Sequence, residues 1–94
     1  MDRIIEKNRQ LILQIAERNG VTNVRVFGSM VRDEANTDSD VDFLVDLSPG
    51  SSGLALGGFL IDVSELLHRK VDVLTEKALH PKISSQVLYE ARAL

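Results

Sequence analysis

The chain has 94 residues, 44% of them apolar, and 14 acidic against 11 basic side chains give a formal charge of −3. That length holds one domain, residues 1–94, around one core, and a net negative chain lacks the basic face of a general nucleic-acid binder. With no cysteine there is no disulfide framework, thiolate metal site or thiol nucleophile. The opening Met1-Asp2-Arg3-Ile4-Ile5-Glu6 lacks the apolar run of a secretory signal, and the longest apolar stretch, 54–61, contains two glycines and is too short to span a bilayer. A cytoplasmic protein without membrane contact is the expectation.

Ile4, Ile5, Leu11, Ile12, Ile15 and Ala16 recur at helical spacing and predict a helix over 2–18, ended by Asn19-Gly20. Val24 to Phe27 reads as a short strand stopped by Gly28, with Ser29 placed as the cap of a helix over 30–35. After the turn-forming 36–39, residues 40–47 alternate as a second strand with Val41, Phe43, Val45 and Leu47 on one face. A Ser/Gly/Pro loop over 48–53 leads to a helix over 54–68, weakened by Gly57-Gly58, then a strand over 70–75. Beyond His80-Pro81, the residues Ile83, Val87, Leu88, Ala91 and Leu94 predict a closing amphipathic helix over 82–93. The order implies an α+β fold, a small mixed sheet with helices packed on one face.

Three acids stand out. Strand parity turns Asp40 and Asp42 to one side while Val41 and Phe43 enter the core, and Asp72 stands in the same relation to Val71 and Val73. If the two strands are neighbours, three carboxylates converge. Such a cluster repels itself unless a hard divalent cation balances it, and oxygen-only donors suit magnesium or manganese. A pair of such ions about 3.5–4 Å apart is the arrangement of in-line phosphoryl and nucleotidyl transfer. In that reading Asp40 and Asp42 bridge the metals, and Asp72 takes the proton of an incoming hydroxyl. Singly, each acid has an ordinary reading: Asp38-Ser39-Asp40 as an Asx turn, Asp72 as an outward strand residue. A calcium loop starting at Asp38 is excluded, because Phe43 and Pro49 stand where it needs glycine and glutamate.

Gly28-Ser29 adds a second element. A glycine turn at a helix start offers N–H groups to a phosphate, and the Ser29 hydroxyl can donate as well, although a plain helix cap explains Ser29 equally. The stretch over 50–58 has no Gly-Lys-Ser/Thr and is no Walker loop.

Gly28-Ser29, ten intervening residues, Asp40-Val41-Asp42 and then Asp72 within Arg69-Lys70-Val71-Asp72-Val73-Leu74 resemble the DNA-polymerase-β-type nucleotidyltransferase superfamily. Val26-Phe27-Gly28-Ser29 and the ending Ala78-Leu79-His80-Pro81 before a final helix resemble its minimal (MNT) branch, so the likeness spans nearly the whole chain. Met30 and Asp33 stand where that family often has arginine and glycine. The resemblance implies the polymerase-β-type nucleotidyltransferase fold and an antitoxin that uses magnesium, two ions, and ATP. It would transfer AMP onto a tyrosine of a HEPN-domain ribonuclease toxin, with which it forms a hetero-oligomer. By position, Gly28 and Ser29 would hold the triphosphate, Asp40 and Asp42 the metals, and Asp72 would activate the acceptor. Arg32 is a further candidate for phosphate or partner contact. Alternatives are neutralisation of the toxin by complex formation without catalysis, and transfer to a small molecule, which the lack of an acceptor pocket domain disfavours. His68 and His80 lack the spacing of the nuclease and are expected at the surface.

Overall fold

A computed structural model describes residues 1–94. Helix α1 (Arg3–Asn19) starts where the Asp2 carboxylate accepts the Ile4 N–H at 2.9 Å and ends at Gly20 in the left-handed region. Strand β1 (Val21–Phe27) begins three residues earlier than expected, because Val21 pairs with Leu47 beyond an irregularity between Thr22 and Arg25. Helix α2 (Ser29–Arg32) is a single turn rather than the six residues expected, since Asp33 turns left-handed at φ 58° and stops it. Strand β2 (Val41–Leu47) leads through the Ser52-capped helix α3 (Gly53–Leu67) to strand β3 (Val71–Leu74). A 3₁₀ turn (Glu76–Ala78), helix α4 (Pro81–Glu90) and the two-residue strand β4 (Arg92–Ala93) follow.

The sheet is mixed, in the order β3-β2-β1-β4; β2 and β3 are parallel and the other pairs antiparallel. As expected, the long helices share one face. Ile5, Ile12 and Ile15 of α1 and Phe59, Val63 and Leu67 of α3 bury against Val26, Val41, Phe43 and Val45. Phe43 and Phe59 meet edge to face at 5.4 Å, a favoured aromatic geometry.

The closing segment departs from expectation. Helix α4 ends at Glu90, Ala91 takes an extended conformation, and Arg92 and Ala93 pair with Val26 and Arg25. Ile83 and Leu88 of the apparent apolar stripe stay about half exposed, and only Val87 is buried. Val87 and Leu79 cover Leu44 on the second face of the sheet, so α4 lies opposite α1 and α3. A helical period in sequence does not distinguish a helix from a helix that hands its last apolar residues to a sheet edge.

Candidate functional site

The register of the parallel pair sets Asp42 on β2 directly beside Asp72 on β3, flanked by Val41–Val71 and Phe43–Val73. Both acids project to the face opposite the main core. Asp40 lies one residue outside the ladder, where the Val41 N–H still donates to Lys70 O at 2.9 Å. Arg69 ties the preceding turn to this strand entrance through Asn36 O at 3.2 Å and Ser39 O at 3.4 Å. That turn is closed by Asn36 and Ser39, whose side chains bond Asp38 N–H and Asn36 N–H. The Asp40 carboxylate therefore has no turn to stabilise; its one partner is Lys70 Nζ at 3.7 Å.

Asp42 is the half-buried centre. Desolvation first, then the charges of Asp72 and Asp40, push its carboxyl above the usual aspartate range; Arg32 opposes this and Glu90 adds to it. This is a donor set of carboxylate oxygens with an excess of negative charge around its least solvated member. Its chemistry fits a hard divalent cation, which would remove the repulsion that raises Asp42. As they stand, no three of the acidic side chains close on a point as a finished cage.

Gly28 overlies this centre because β1 pairs Phe27 with Asp42. Its φ of 78° and the 2.6 Å separation that a Cβ would have from Asp42 Oδ2 both require glycine. Gly28, rather than Ser29, is the cap residue of α2. Ser29 is the first helical residue and its hydroxyl makes no hydrogen bond within the chain, so the plain-cap reading fails. Met30 is fully buried in the main core, and the Asp33 carboxylate lies toward Met1 N at 3.2 Å with its side chain 71% exposed. The left-handed backbone at Asp33 explains why glycine would suit that position.

Sequence reasoning missed Glu90. Its Oε1 accepts the Gly28 N–H at 3.0 Å, and both oxygens lie 3.1 Å from Arg32 Nη1. Sixty-two positions separate Glu90 from Gly28, and only the pairing of β4 with β1 brings them together. No sequence signal marked it. Arg32, singled out in the sequence, is held by Glu90 and, at 3.4 Å, by Glu34.

The largest cavity, about 450 Å³, lies at the opposite end of β2 and β3, lined by Val45, Asp46, Leu47, Thr75, Glu76 and Lys77. Both of its acids are ion-paired with Arg25 at 3.0 Å. His68 ends α3 and His80 Nδ1 caps α4 by accepting the Lys82 N–H at 3.1 Å; both are exposed, as expected. No helix is long and apolar enough to cross a membrane.

A family model described as a nucleotidyltransferase domain matches residues 8–94. A Methanocaldococcus jannaschii protein named as a protein adenylyltransferase is 36% identical over 93% of this chain and 94% of its own length. The protein adenylyltransferase MntA of Thermococcus cleftensis is 40% identical over 82% of this chain and 78% of its own. Among solved structures, a minimal nucleotidyltransferase superposes with a TM-score of 0.85 at 38% identity, covering 100% of this chain and 97% of that one. At 17% identity the likeness is of fold alone. A complex of tri-AMPylated Shewanella oneidensis HEPN toxin with MNT antitoxin matches at a TM-score of 0.67, over 94% of this chain and 69% of that one.

Proposed function

Because this chain belongs to the nucleotidyltransferase-domain family, we propose that it is a protein adenylyltransferase antitoxin. It transfers AMP from ATP to a tyrosine hydroxyl of a HEPN-domain ribonuclease toxin encoded with it, and both act in the cytoplasm. The observation that carries this reading is the side-by-side register of Asp42 and Asp72 beneath Gly28. It sets carboxylates against a backbone turn that only glycine can make. The names of the adenylyltransferase relatives and the AMP-bearing toxin of the distant complex support the reaction class and the partner.

Gly28 N–H, the Ser29 hydroxyl and Arg32 would orient the triphosphate. Asp40 and Asp42, with Asp72, would hold magnesium, two ions in this reading. Bound magnesium would supply neutralisation of the phosphate charge. Asp72 is exposed at the open side of the trio, where an acceptor hydroxyl can approach, and it takes that hydroxyl's proton. The phenolic oxygen bonds to the α-phosphorus, the bond to the β-phosphate oxygen breaks, and pyrophosphate leaves.

An acceptor supplied by a protein fits this geometry. The acids lie at an open sheet end, and the one sizeable cavity is at the other end of the strands. The test is incubation of the chain and its co-encoded partner with magnesium and α-labelled ATP. Label is expected on the partner with the wild type and absent with Asp42→Asn. A stable complex that blocks the toxin without any label would establish neutralisation by binding instead.

A further inference from the structure

We propose that Glu90 is a built-in competitor for the nucleotide: its carboxylate occupies the Gly28 N–H and the Arg32 guanidinium, the donors a triphosphate must take over. The proposal rests on the triphosphate site assigned above and concerns what holds that site in the nucleotide-free chain.

Three observations meet at this residue. Glu90 reaches Gly28 N at 3.0 Å and Arg32 Nη1 with both oxygens at 3.1 Å, while its side chain is only 17% exposed. It is thus no solvated helix charge. Gly28 is itself buried, so its N–H requires an acceptor from within the chain when no ligand provides one. And Glu90 brings a fourth carboxylate beside Asp40, Asp42 and Asp72, close enough to act on Asp42 through its charge. A carboxylate among like charges is stable there only through the two donors it holds, and a phosphate would make stronger use of the same pair.

The surrounding fold lets Glu90 yield by side-chain rotation alone. Its backbone is fixed between the buried Val87, whose carbonyl accepts the Ala91 N–H at 2.9 Å, and the pairing of Arg92 with Val26. Glu90 therefore sets nucleotide affinity below what the donors alone would give.

The experiment measures binding of the magnesium complex of AMP-PNP to the full chain by calorimetry, wild type against Glu90→Gln. Glutamine keeps an acceptor for Gly28 and removes the charge. Its dissociation constant is expected to fall about five- to tenfold, the effect of one like charge removed from near the phosphates. In parallel, wild-type chain is titrated with inorganic tripolyphosphate while the Gly28 amide and the Glu90 side-chain carboxyl are followed by NMR. Both signals are expected to shift together at one midpoint. This arm decides the matter alone if Glu90→Gln fails to fold. Equal or weaker binding by folded Glu90→Gln, or a Gly28 amide that stays put at saturating tripolyphosphate, overturns the proposal. AMP transfer by the wild type without tightening in Glu90→Gln removes the role of Glu90 and leaves the proposed function standing. Tightening without transfer does the reverse.

Discussion

Asp42 sits where desolvation and three neighbouring carboxylates raise its pKa, and the direction of that change has a consequence for stability. A carboxyl raised in the folded state binds its proton more tightly folded than unfolded. Its ionisation therefore costs stability above the folded pKa, and the cost disappears once pH falls below the ordinary aspartate value. Asp42→Asn is accordingly expected to raise Tm by about 2–4 °C at pH 7, the increment vanishing near pH 3. Thermal melts across that pH range check it; a lower Tm for the variant at pH 7 would remove the repulsion argument. Magnesium should raise the Tm of the wild type and leave Asp42→Asn unmoved, since only the former keeps the central donor. At Gly28, alanine meets both a positive φ and the Asp42 carboxylate, so Gly28→Ala should cost about 1–2 kcal/mol in chemical denaturation and abolish nucleotide binding. Ser29→Ala should slow transfer while staying within about 0.5 kcal/mol of wild-type stability, because the hydroxyl bonds nothing in the chain.

At the scale of elements, α3 carries adjacent glycines with different reasons for being there. A Cβ at Gly57 would meet open space, whereas one at Gly58 would run into the Asn19 side chain of α1. That amide is pinned by Ile15 O at 2.9 Å and Asp62 at 3.0 Å, so it cannot easily retreat. Gly57→Ala is expected to stabilise by about 0.5–1 kcal/mol through helix propensity, and Gly58→Ala to destabilise despite the same propensity gain. Urea melts of the two variants give opposite signs if α1 and α3 pack as described. The periodicity of α1 and β2 was readable because each turns a regularly spaced set of apolar residues into the main core. The end of α4 was not, because Arg92 and Ala93 pair with β1, and that choice depends on a strand 66 and more positions away.

Across the whole molecule, two faces of one four-stranded sheet are covered unequally. The main core takes α1 and α3, while Leu44, Leu79 and Val87 form a three-residue cluster on the side that bears Asp42. The face that bears the acids is therefore thinly covered, which under the proposed function leaves room for an acceptor on another protein. Phe43, on the next residue, faces the thick side and meets Phe59. Phe59→Leu should lower stability by about 1–2 kcal/mol and weaken AMP transfer less than it weakens the fold, since the site hangs on strand register rather than on that ring. Denaturation midpoints alongside initial transfer rates at a permissive temperature check the difference.

The amino-acid order by itself determined the parity of Asp40, Asp42 and Asp72, the glycine-serine turn at 28–29, and the family they imply. Those are local matters of strand period and backbone sterics. Only the tertiary structure decided that Asp42 and Asp72 stand side by side and that Asp33 points toward Met1. It alone put Glu90 of α4 on the Gly28 turn. Those contacts join residues 30 to 62 positions apart, and no local propensity encodes which distant backbone will come to lie against which.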